Sequence, residues 1–127
     1  MAAITITNVG LNMLRDALSG ANTSVITYVA LGTDSTTPAA IDTQLGTEVF
    51  RKAVSSYATG GSPGEILINL YLSPSDAVGV NIQEVGFFGG HTANSNAGTG
   101  ILLAHGLYSH SSKLNTESIQ FTLDLTM

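Results

Sequence analysis

The chain has 127 residues, so one domain over 1–127 is expected, long enough to bury a core without covalent staples. It has no cysteine, which excludes disulfides and thiolate metal sites. Only 10% of residues are charged, and four basic side chains against nine acidic ones give a net charge of −5, which argues against nucleic acid and anionic membranes as partners.

The first stretch, "MAAITITNVG", lacks the basic start and long apolar run of a signal peptide. Residues 3–7, "AITIT", alternate apolar and polar as a short strand does. Over 7–20 the period changes. Leu11, Leu14 and Leu18 recur at helical spacing, Thr7 or Asn8 can cap the first amides, and Gly20 falls where a left-handed cap ends a helix. A β-branched and aromatic strand follows over 25–31. Residues 34–46, with Pro38 and many Ser, Thr and Asp, read as a long loop.

Residues 48–59 fit a strand, 60–65 are turn chemistry, and 65–73 alternate again, so a hairpin is expected between 48–59 and 65–73. The next strand spans about 78–88 and contains "NIQEVGFFGG". Strict alternation sets Val78, Val80, Ile82, Glu84, Gly86 and Phe88 on one face. A second long, glycine-rich loop covers 89–100, strand 101–108 follows, and 117–127 alternates most clearly. These elements predict a mainly β fold: an antiparallel β-sandwich or barrel of about seven strands with one N-terminal α-helix. No run of apolar residues is long enough for a spanning helix.

Motifs for chemistry are sparse. His91 lies in the second long loop, His105 alternates with Leu103 and Leu107, and His110 sits in a turn. Their spacing is not that of metal ligands, and His105 reads as a packed, hydrogen-bonded core histidine. There is no G-x-S-x-G, and "ATGGSPGE" lacks the lysine of a phosphate-binding loop. No catalytic residue, cofactor site or metal site is expected, and the chain reads as a non-enzyme.

Glu84 stands out as a carboxylate on an apolar face, costly unless paired. It is a general acid with a missing second group, half of an internal ion pair that fixes strand register, or a sign that the strand's register is misread. Arg51 is the preferred partner over Lys52, because its fork can hold a carboxylate with two parallel bonds. Phe87 points away from Phe88, so it is either a subunit contact or part of a two-sided core. The low charge content suits either a protein buried in an assembly or a small β-rich domain.

The segment order resembles a family. "ITNVGLNMLRDAL", "ITYVALGT", "LGTEVFRKAV", "NIQEVGFFGG" and "GILLAHG" are similar to the amino-terminal domain of phage tail-collar fibre proteins and related short tail-fibre proteins. The matching positions are Thr7–Leu11, Ala30–Thr33, Leu45–Arg51, Ile82–Phe88 and Leu102–Ala104, within roughly residues 5–107. The resemblance implies a virion structural protein, tail-fibre/collar or baseplate associated, that works through oligomeric assembly. Its partners would be other virion proteins and further copies of itself, with a trimer favoured. Longer relatives join a fibre to the tail, whereas this chain ends at Met127 without a shaft. A capsid (head) decoration protein is therefore an alternative, and a carbohydrate-binding receptor module is the alternative from another class. The loops 32–47 and 89–100 are the expected partner contacts.

Overall fold

A computed structural model describes residues 4–20 and 25–126. The elements are β1 (Ile4–Ile6), α1 (Asn8–Leu18), β2 (Ile26–Gly32), β3 (Glu48–Ala53), β4 (Ser56–Thr59), β5 (Glu65–Leu72), β6 (Ile82–Gly89), β7 (Ile101–His110) and β8 (Ile119–Thr126). They form a five-stranded sheet in the order β1-β7-β6-β2-β3 and a three-stranded sheet in the order β4-β5-β8. All pairings are antiparallel. The expected mainly β fold is therefore a sandwich of eight strands, not a closed barrel. No helix among the described residues is long and apolar enough to cross a membrane.

The sandwich core lies between the sheets. Val29, Leu31, Val85, Phe87 and Leu103 meet Ile68, Leu70, Leu72, Phe121 and Leu123. A second, smaller cluster of Ala30, Leu45, Phe88 and Leu102 sits on the outer face of the large sheet. That sheet is thus buried on both faces, which is why β2, β6 and β7 read as near-continuous apolar runs.

Helix α1 starts as its sequence dictates. Thr7 is the N-cap: its hydroxyl oxygen accepts from the Gly10 amide at 3.0 Å, and the hydroxyl donates to the Leu102 carbonyl. Gly10 is needed because a Cβ there would lie 2.7 Å from Leu103 Cα. The buried side of the helix is Gly10 and Met13. Of the leucine stripe only Leu14 packs on the core, while Leu11 is 54% and Leu18 92% exposed. We expect Thr7→Ala to cost about 1–2 kcal/mol in a denaturant titration, with Thr7→Ser retaining most of it.

Two stretches differ from their sequence reading. Residues 48–59 are two strands in different sheets. At the crossing, the Val54 amide bonds Thr27 O at 2.9 Å in the large sheet, and the Ser55 amide bonds Asn69 O at 2.9 Å in the small one. The hairpin is therefore β4 with β5 alone, and β3 pairs with β2. The strand expected over 78–88 begins at Ile82, because Ala77 and Gly79 take positive φ and Val80 N bonds Ala77 O in a turn. Thr27 marks another irregularity. The β2–β6 register shifts there, and its buried hydroxyl finds no partner among the described residues. Thr27→Val should leave the unfolding midpoint unchanged or raise it, since an unpaired buried hydroxyl costs about 1–3 kcal/mol.

Candidate functional site

The outer face of the five-stranded sheet carries both long loops. The first, residues 33–47, joins β2 to β3, and the second, residues 90–100, joins β6 to β7. Each is held down by one buried charged side chain.

Glu84 holds the first. A register shift between Ile82 and Glu84 separates the two, so Ile82 enters the sandwich core while Glu84 faces the loop. Its side chain is 1% exposed. Oε1 accepts from the Gly46 amide at 2.9 Å and from His105 Nε2 at 2.8 Å. Oε2 accepts from the Thr47 amide at 2.8 Å and the Asp34 amide at 3.2 Å. The carboxylate fits because Gly32 has no side chain: a Cβ there would lie 2.3 Å from Oε2. His105 continues the chain, with Nδ1 2.9 Å from Asp42 Oδ2. Each ring nitrogen thus faces a carboxylate oxygen. Asp42 in turn accepts from the Ala39 amide at 2.8 Å. The loop is closed at its base by Thr33 N to Thr47 O at 3.1 Å and tied to α1 by Asn8 N to Ala40 O at 2.8 Å.

Arg51 holds the second. The expected pair with Glu84 does not form, because Arg51 lies on β3 beside Glu48. Nε donates to Glu48 Oε2 at 2.8 Å and Nη2 to Oε1 at 3.0 Å, with the two side chains 3% and 8% exposed. Nη1 then donates to Thr99 O at 2.7 Å, Thr99 Oγ1 at 2.9 Å and Asn94 O at 3.1 Å. The guanidinium lies 4.3 Å from the Phe88 ring centroid. Glu48 Oε1 also accepts from the Gly98 amide at 3.1 Å. The fork expected of Arg51 is real, but its carboxylate is three residues away on the same strand.

Phe87 is 0% exposed and belongs to the sandwich core, so it is not a subunit contact. Phe88 is equally buried, in the outer cluster. The two-sided core is the reading that holds. His105 is hydrogen-bonded and buried as expected, but its face is different. Its neighbour Leu103 enters the sandwich core, while Ala104 pairs with Phe87 and Leu102 with Phe88. The extra residue in β7 reverses the alternation, and His105, paired with Gly86, looks outward to Glu84.

One buried charge had no sequence signal. Lys113, in a Ser-rich turn, is 1% exposed and donates from Nζ to the carbonyls of Ser73 at 3.0 Å, Pro74 at 3.3 Å and Leu114 at 3.4 Å. Lys52 bridges to Asp76 at 2.6 Å and also donates to Tyr71 O at 2.8 Å.

A polar cavity of about 110 Å³ lies under the first loop, lined by Thr36, Thr37, Asp42, Gln44, Glu84 and His105. An Asp–His relay activates a nucleophile only if the second ring nitrogen faces it. Here that nitrogen is on Glu84, and the Thr36 hydroxyl donates to Asp34 Oδ1 at 2.7 Å. A general acid must reach its substrate, yet all four Glu84 bonds run to groups of its own fold. The arrangement is built to fasten a loop. No group of three or more His, Asp or Glu among the described residues is placed to hold a metal ion.

Burial pushes the Asp42 carboxyl up, but the Ala39 amide and the hydrogen bond and charge of His105 outweigh it and hold the group below its ordinary value. Asp34 is lowered too, by the Thr36 hydroxyl and amide. A carboxyl depressed on folding adds stability above its unfolded value, about 3.9 for Asp, and loses it as pH falls through the folded value. The unfolding midpoint should therefore hold steady with respect to these groups from neutral pH to about 5 and fall below about 4. A midpoint that rises on acidification below 4 would contradict this.

Known protein families, curated proteins and solved structures were each compared with the chain, and none matches at a significant level.

Proposed function

We propose that the chain is a non-enzymatic structural protein of a bacteriophage particle, associated with the tail fibre, collar or baseplate, that acts by assembling with other virion proteins and with copies of itself. The observation that carries this reading is the work done by the residues of the resembling segments. Thr7 caps the helix, Leu45 plugs the outer cluster, Glu48 and Arg51 fasten the second loop, and Glu84 fastens the first. A part that must present fixed loops to neighbours needs such fastening, and a catalyst would leave one of these groups open to a substrate. Three of the four cations are held in local ion pairs or on main-chain carbonyls within the fold, and Arg15 pairs with Asp16 on the surface.

The test is direct. Phage particles produced from a genome carrying this sequence are banded by density and analysed by mass spectrometry. Peptides of the chain in intact particles, at a fixed multiple of other tail proteins, are expected. Their absence from banded particles, with the protein abundant in the lysate, would refute the reading. Density for the chain on the head shell would favour the decoration role instead.

A further inference from the structure

Among the described residues four strand edges end the two sheets, and they are not alike. β1 has three residues and β4 has four, too short to template much pairing. β3 carries Glu48, Arg51 and Lys52 among its six residues, and its pairing with β2 shifts register. β8 is different. It pairs with β5 over eight consecutive residues, from Glu65↔Thr126 to Leu72↔Ile119, without a shift. Every second residue of such an edge points its N–H and C=O away from its neighbour strand. β8 has no proline, no lysine and no bulge, and Asp124 is its one charge. Apart from Asp124, it lacks the devices that keep free edges apart.

We propose that β8 is a self-association surface. It pairs antiparallel with β8 of a second copy about a two-fold axis at Thr122, joining two three-stranded sheets into one. The side chains select that register. An axis at Thr122 sets Phe121 opposite Leu123 and Ile119 opposite Leu125 on the core side, and Gln120 opposite Asp124 on the outer side. Phe121 and Leu123 are already buried, while Ile119 and Leu125 are only half-buried, so the second copy covers apolar surface left at the ends of the strand. Gln120 is exposed, and its amide can donate to the Asp124 carboxylate of the second copy. A slip of one residue would set core-side against outer-side residues. An axis at Asp124 would set two carboxylates face to face. The contact is isologous and closes at two copies, so it is distinct from any three-fold contact. It stands whether or not the chain belongs to a virion.

The test is a charge series at Gln120, which the two-fold axis reads twice. Self-association of the full chain is measured by sedimentation equilibrium, and folding is checked by circular dichroism. The parent should show a two-copy species. Gln120→Lys, facing Asp124 at two places, should tighten it about tenfold, and Gln120→Glu should weaken it about tenfold. Asn12→Lys, the same charge change on the exposed face of α1, should leave it unchanged. The proposal is overturned if the parent remains monomeric at about millimolar concentration. It is equally overturned if the two Gln120 variants shift the equilibrium in the same direction or not at all.

Discussion

Glu84→Gln is expected to lower the thermal unfolding midpoint by on the order of 10–20 °C. The carboxylate accepts three backbone amides and one imidazole nitrogen, and its side chain is 1% exposed. A glutamine amide keeps the shape but replaces one acceptor oxygen with an NH2 group. That group faces donors whichever way the amide turns, since both carboxylate oxygens receive N–H groups. It also removes the negative charge facing His105, which keeps only Asp42 at its other nitrogen. Breaking a buried charge pair on one side costs about 3–5 kcal/mol. For a chain of this length, each kcal/mol moves the midpoint by about 4 °C. A loss below about 1 kcal/mol would mean that plain hydrogen bonding, not charge, holds the loop.

Arg51→Met is the second large effect, at about 3 kcal/mol or more. Methionine fills much of the stem's volume over Phe88, so the loss reports the guanidinium rather than a void. What is removed is the fork to Glu48 and three bonds to residues 94 and 99. Glu48 is left as a nearly buried carboxylate with the Gly98 amide. Arg51→Lys should recover little, because a single ammonium cannot hold both Glu48 oxygens and reach Thr99 together. Chemical denaturation of the two variants against the parent checks this. Full recovery by lysine would show that charge alone matters.

Much of the architecture was legible in the sequence because period and turn chemistry are local. Ile119, Phe121, Leu123 and Leu125 alternate, and the strand they predict is there. Thr7 and Gly20 bracket the helix as cap and positive-φ end. The site was legible only in part. Glu84 was conspicuous as an acid in an apolar strand, but its side of the sheet depends on a register shift, which leaves no mark in composition. Its partners are mostly backbone amides of a loop, and amides carry no residue identity to read. The fork that favours Arg51 as partner is taken up by Glu48, while the actual donor at the site is His105, brought over by an extra residue in β7. Val54 and Ser55 are a two-residue crossing between sheets with neither glycine nor proline, so the break in 48–59 was invisible.

The central claim is that two buried charged side chains fasten the two long loops independently. Residue-resolved amide hydrogen exchange tests it most directly, at Asp34, Gly46, Thr47 and Gly98 in the parent, in Glu84→Gln and in Arg51→Met. All four amides should be protected in the parent. Glu84→Gln should expose the first three and spare Gly98, and Arg51→Met should expose Gly98 and spare the first three. Fast exchange at these amides in the parent, or equal loss at both loops in either variant, would contradict the account.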